Sequence, residues 1–118
     1  MTDRVALSVS NHIGHVRLTR AEKINALDPK MFDAIIEVIE ELSTKADIRA
    51  IILSGEGRGF SSGLDLANFQ GKTGSPSNLV TRTHGFANRF QQVAWGWRML
   101  AVPVIAAAHG VAIGGGLN

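Results

Sequence analysis

Two short, uncharged runs constrain this chain more than any other feature. Residues 50–53 read Ala-Ile-Ile-Leu, and residues 102–108 read Val-Pro-Val-Ile-Ala-Ala-Ala. Both are rich in β-branched residues and neither shows polar alternation, so both fit short strands covered on each face. Each run leads into glycine. Residues 55–59 form a Gly-rich loop after the first run, and residues 110–116 form a turn after the second, with Gly114, Gly115 and Gly116 consecutive.

The other segments supply partners for these strands. Val5, Leu7 and Val9 alternate with Ala6, Ser8 and Ser10, residues 11–14 are a turn cluster, and residues 13–19 alternate again. This pattern predicts a hairpin. Residues 20–25 read as a polar connection. Asp28 followed by Pro29 is a helix start, an N-cap acceptor ahead of a residue whose fixed φ suits the first turn. Met31, Ile35, Val38 and Leu42, with Phe32, Ile36 and Ile39, form a wide apolar stripe at helical spacing, while Glu37, Glu40 and Glu41 lie elsewhere. A helix is expected over residues 29–44. A short helix is expected over residues 64–69, a mobile loop over 71–78, and a long helix over 79–100 interrupted near Gly85 or Gly96. Leu117 reads as the start of a further helix. The order β-β-α-β-α-β-(α) is α/β, with α+β as the alternative.

Composition removes several classes. The 118 residues make one domain or part of a larger one. Without Cys there are no disulfides, thiolate metal sites or Cys nucleophiles. Twelve basic and ten acidic residues leave a net charge of +2, and the basic residues are scattered, so no nucleic-acid surface is expected. Asp3 and Arg4 stand where a signal peptide would begin its apolar region. Residues 99–117 carry no formal charge except one available to His109, and they contain Gly110 and Gly114 at a GxxxG spacing. That length admits a membrane span. Pro103, the triple glycine and the excess of small residues argue against one.

Chemistry-bearing side chains are sparse. His12, His15, His84 and His109 show no metal-ligand spacing, and no Ser-His-Asp arrangement is apparent. The loop at 55–59 lacks both GxGxxG and the GK[ST] of a P-loop. What stands out is a pair of junctions. Phe60-Ser-Ser-Gly63-Leu64-Asp65-Leu66 and Gly114-Gly115-Gly116 each follow a strand and precede a candidate helix. Two backbone N–H groups converging on one oxygen would form an oxyanion hole. Two unrelated tight turns are the other reading of the same residues.

At these residues the chain resembles a known family. Asn25-Ala-Leu27, Ala50-Ile-Ile-Leu-Ser-Gly55, Gly59-Phe-Ser-Ser-Gly-Leu-Asp-Leu66 and Pro103-Val-Ile-Ala-Ala-Ala-His-Gly-Val-Ala-Ile-Gly-Gly-Gly116 stand in the order and spacing of the crotonase superfamily, the enoyl-CoA hydratases and isomerases. The resemblance implies a crotonase-like spiral of ββα units, incomplete at its C-terminus, with residues 1–118 the N-terminal part of a longer domain. It implies an enzyme of acyl-CoA and fatty acid metabolism that stabilises a thioester enolate. Its oxyanion donors would be the backbone N–H groups of Leu64 and Gly115, and its substrate contacts Lys23, Ala26, Ser62, Asp65, Leu66 and Gly116. Lys23 would meet CoA phosphate charge; it also reads as a solvated loop residue. No metal and no cofactor beyond the substrate's own coenzyme A are expected. The partners implied are the thioester substrate and copies of the chain in a trimer or dimer of trimers, in the cytoplasm and away from membranes.

Two departures qualify the resemblance. Family members are longer. The hydratases also carry a catalytic Glu three residues beyond the middle glycine, where this chain has Asn118. An amide cannot transfer a proton as a carboxylate does. A non-catalytic acyl-CoA binder is therefore the rival to an enzyme.

Overall fold

The computed structural model describes residues 3–69 and 79–118. β1 (Val5–Ser10) and β2 (Ile13–Leu18) form the expected antiparallel hairpin, with Val5 opposite Leu18 and Ser10 opposite Ile13. The turn is narrower than the sequence suggested. Asn11 and His12 alone make it, both with positive φ, as the tight hairpin connections require. Gly14 belongs to β2 instead, where a Cβ would press on Leu42 and Ile48.

α1 (Pro29–Ser43) follows the pattern of its sequence. Asp28 caps it by accepting from the Met31 amide at 2.8 Å, and all seven stripe residues are buried. The chain then enters β3 (Ala50–Gly55), parallel to β2, and later β4 (Val104–Ala107), parallel to β3. The sheet order is β1-β2-β3-β4, one antiparallel pair followed by parallel pairing, in keeping with the α/β reading. The core lies between α1 and one face of this sheet, around Val16, Leu18, Met31, Ile35, Val38 and Ile51.

Coverage of the parallel strands differs from the expectation. In β3 only Ile51 is fully buried, and in β4 Ile105 is 57% exposed. α1 shields one face of the sheet, and no element among the described residues covers these side chains on the other. β4 is also shorter than residues 102–108, because Pro103 lacks an N–H and lies just outside the ladder.

The helical connection is likewise shorter. α2 (Leu66–Phe69) is a single turn, and the loop expected at residues 71–78 lies outside the described residues. α3 (Arg89–Met99) begins at an Asn88 capping box, in which Asn88 accepts from the Gln91 amide and the Gln91 side chain accepts from the Asn88 amide. Residues 79–87 are turns, with Gly85 at positive φ. Gly96 does not interrupt α3; it is buried where α3 crosses α1, and a Cβ there would lie 2.9 Å from the Ile39 Cδ1. Phe32 and Phe90 meet edge-to-face with centroids 5.1 Å apart. Residues 114–116 form one 3-10 turn. No helix among the described residues is long and apolar enough to cross a membrane, and residues 99–117 are divided among a helix end, β4 and turns.

Candidate functional site

Beyond the C-terminal ends of β3 and β4, three irregular segments lie side by side. Residues 60–65 form the middle one. On one side Ser62 donates to the Ile24 carbonyl, Leu27 to that of Gly63 and Asp65 to that of Leu27, at 2.8, 2.7 and 2.9 Å. On the other side Phe60 donates to the carbonyl of His109, Ser61 to that of Val111, and Ile113 to that of Ser61. The two glycine junctions, separate in sequence, are therefore neighbours.

These bonds orient particular amides. Leu27 and Leu64 form a parallel bridge whose bonds use the Gly63 carbonyl and the Asp65 amide. In such a rung the intervening residue turns its own N–H to the opposite side. That side carries residues 113–115: a Cβ on Gly63 would lie 2.5 Å from the Ile113 carbonyl oxygen and 3.6 Å from the Gly115 nitrogen. Gly63 has φ +83, and with that close approach only glycine fits there. Among the described residues neither the Leu64 nor the Gly115 amide donates to any acceptor.

The reason for glycine in the second junction differs along it. Gly114 has the positive φ, with open space around it. Gly115 is held by contact instead, since a Cβ would lie 2.6 Å from the Leu27 Cδ1. Gly116 packs on Ser61, whose Cβ would be 2.6 Å from an added one. Gly115 and Gly116 line a cleft of about 1330 Å³, together with Leu27, Phe60, Phe90 and Trp97.

The remaining candidates fall into distinct environments. Lys23, Ala26 and Ser62 are brought together: the Lys23 carbonyl accepts from the Ala26 amide and from the Ser62 hydroxyl, both at 3.1 Å. The Lys23 side chain is exposed and Ala26 is buried. Leu66 is exposed. The Asp65 carboxylate is buried and accepts from Arg20 Nη1 at 2.7 Å, and its amide donates to the Leu27 carbonyl. None of these five lines the cleft, which separates them from Gly115 and Gly116.

Three residues outside the predicted set hold the site together. Asn25 is fully buried; its amide nitrogen donates to the carbonyls of Glu56, Gly59 and Phe60, and its oxygen accepts from the Arg20 amide. Ile24 and Asn25 both have positive φ, which asparagine tolerates and isoleucine resists. Arg20 Nη1 reaches the Ala26 carbonyl, Asp65 and, at 3.4 Å, Asp28. Asp28 also accepts from Arg4 at 2.9 Å. Burial pushes the Asp28 carboxyl up, but the Arg4 hydrogen bond, the Met31 amide and the Arg20 charge outweigh it and hold the group below its ordinary value. In return, the Asp28 hydrogen bond raises Arg4 above its own. Positive-φ tolerance at Asn25 is the one local signal for this arrangement. The Arg20–Asp65 pair, 45 residues apart, leaves none.

Known proteins share this arrangement of chain. The enoyl-CoA hydratase/isomerase family profile matches residues 8–118. A mitochondrial Delta(3,5)-Delta(2,4)-dienoyl-CoA isomerase from Mus musculus is 32% identical over 116 residues, covering 94% of this chain and 36% of the relative. An (E)-benzylidenesuccinyl-CoA hydratase from Thauera aromatica is 35% identical over 115 residues, covering 97% and 42%. The crystal structure of a probable enoyl-CoA hydratase from Mycobacterium smegmatis superposes with a TM-score of 0.80 at 28% identity, covering 98% of this chain and 44% of that one. The chain thus spans less than half the length of these relatives. The crotonase-like fold expected from the motifs is the one observed. With the match running through both glycine junctions, the chain belongs to the enoyl-CoA hydratase/isomerase family.

Proposed function

We propose that this protein is an acyl-CoA thioester-processing enzyme in which the backbone N–H groups of Leu64 and Gly115 hold the thioester oxygen and stabilise an enolate. The observation that carries the reading is the packing of two glycine junctions against each other beside a cleft, with both amides unused by any acceptor among the described residues. As a carbanion forms beside the thioester carbonyl, charge moves onto its oxygen. Each donor aimed there is worth about 2.7–4 kcal/mol of barrier. Lys23, Ala26, Ser62 and Leu66 would meet the coenzyme A portion, with the Asp65 backbone beside them, and Gly116 the acyl side. Coenzyme A arrives with the substrate, so no resident cofactor takes part. A homotrimer or dimer of trimers in the cytoplasm completes the reading, supported by the family resemblance.

Asn118 favours one alternative, a protein that binds acyl-CoA without turning it over. Its amide cannot act as acid or base where the hydratases of the family have Glu. A panel of enoyl-CoA and dienoyl-CoA thioesters tests both. Turnover by the wild type is expected, with none by Gly115→Pro, which removes the N–H. Leu64→Ala should keep a substantial fraction, because the Leu64 donor is main-chain. Equal rates for wild type and Gly115→Pro would overturn the oxyanion assignment. Saturable binding without turnover of any panel member would establish the binder.

A further inference from the structure

We infer that Arg20 and Asp65 form a buried clamp that aims the Leu64 amide, and that the Asp65 side chain positions this amide rather than touching substrate. The inference rests on the oxyanion reading above. The bridge between Leu27 and Leu64 is the element that turns the Leu64 N–H toward Gly115. A single guanidinium nitrogen braces it. Arg20 Nη1 lies 3.3 Å from the Ala26 carbonyl, just before Leu27, and 3.4 Å from the Asp28 carboxylate, just after it. The same nitrogen lies 2.7 Å from the carboxylate of Asp65, just after Leu64. Both strands of the bridge are thus tied to one point.

The clamp is rigid for identifiable reasons. Arg20 and Asp65 are each 8% exposed at the side chain, so water competes little for their bond. The Arg20 backbone is fixed in turn, its amide donating to the Asn25 side chain and its carbonyl accepting from the Asn25 amide. Leu64 itself is 44% exposed and makes no comparable anchor through its side chain. Its two flanking backbone bonds hold the peptide from the Leu27 side alone, and the Asp65 carboxylate adds a further restraint through Arg20. A displacement of about 1 Å at a catalytic donor can cost up to 100-fold in rate.

Two variants separate this role from plain stability. Asp65→Ala deletes the clamp but leaves Arg20 paired with Asp28, so no buried charge is orphaned. Arg20→Lys keeps a cation near both carboxylates, but its side chain is one bond shorter, so its ammonium falls short of the point that Nη1 occupies. The readout is the infrared carbonyl stretch of isotope-labelled butanoyl-CoA bound to the full chain; a saturated thioester has no double bond to hydrate. In wild type the stretch should fall on binding, as two donors polarise the carbonyl. In Asp65→Ala and Arg20→Lys, each folded by circular dichroism and saturated with butanoyl-CoA, at least half of that fall should be lost. Asp65→Asn, which still offers an oxygen to Arg20, should recover it. A wild-type fall left intact in both clamp variants would overturn the positioning role alone. Absence of any fall in wild type would overturn the oxyanion reading with it.

Discussion

Asp28 performs two tasks with one carboxylate. Oδ1 caps α1 through the Met31 amide and also accepts from Arg4 Nε, while Oδ2 receives Arg4 Nη2 and faces Arg20. Replacing it separates the two. Asp28→Ala should lose about 1 kcal/mol of capping and the ion pairs besides. Arg4 would keep the more exposed Asp3, and Arg20 would keep Asp65. Asp28→Asn retains a capping oxygen and should lose less. The charge-dependent part follows a definite sign. The folded carboxyl titrates below its ordinary value of 3.8. Its contribution is therefore present above that value and lost as the pH falls through the lower folded one. Denaturant melts should show wild type and Asp28→Asn converging in acid and separating toward neutrality. A constant gap across that range would mean the pairing adds nothing.

At the level of elements, legibility followed the range of the interactions. The hairpin and α1 were readable because their signals are local: alternation, an Asp-Pro start and a seven-residue stripe. α3 is shorter than the helix expected over residues 79–100 because turns occupy residues 79–87, with Gly85 at positive φ. The Asn88–Gln91 capping box that starts the helix was equally present in the sequence. The glycine junctions were recognisable singly, but their contact, and the Arg20 clamp beneath it, join segments far apart in sequence. Gly96 shows the same limit: it reads as a break and serves as a crossing point. A Cβ at that position would meet the far ends of the Ile39 and Gln92 side chains. These can move, so Gly96→Ala should stay within about 1 kcal/mol of wild type, helix propensity offsetting the crowding. Gly96→Val adds branches that both helices must accommodate, and about 1–3 kcal/mol should be lost. Thermal melts of the pair decide the matter; equal loss from both would place the constraint in the α3 backbone rather than in the α1–α3 contact.

For the molecule as a whole, the balance of covered and open apolar surface governs behaviour in solution. α1 buries its stripe against one face of the sheet and against α3. The far side retains Ile105 on β4, with Met99, Ile113 and Leu117 also exposed on the segments around that strand. β4 pairs with β3 on one edge and, among the described residues, with no strand on the other. An edge of four uncharged residues, with Ile105 beside free N–H and C=O groups, is a template for another chain. Exposed apolar patches beyond a few hundred Å² favour association in the same way. The 118-residue chain should therefore form oligomers or aggregates in light scattering, at a level that rises with concentration. Ile105→Lys should reduce that association, because a charge on an edge strand opposes pairing. It should leave the thermal melt nearly unchanged, since Ile105 lies outside the buried core. A cooperatively melting monomer at all concentrations would show that this face is content in water; association undiminished by Ile105→Lys would move the contact away from β4.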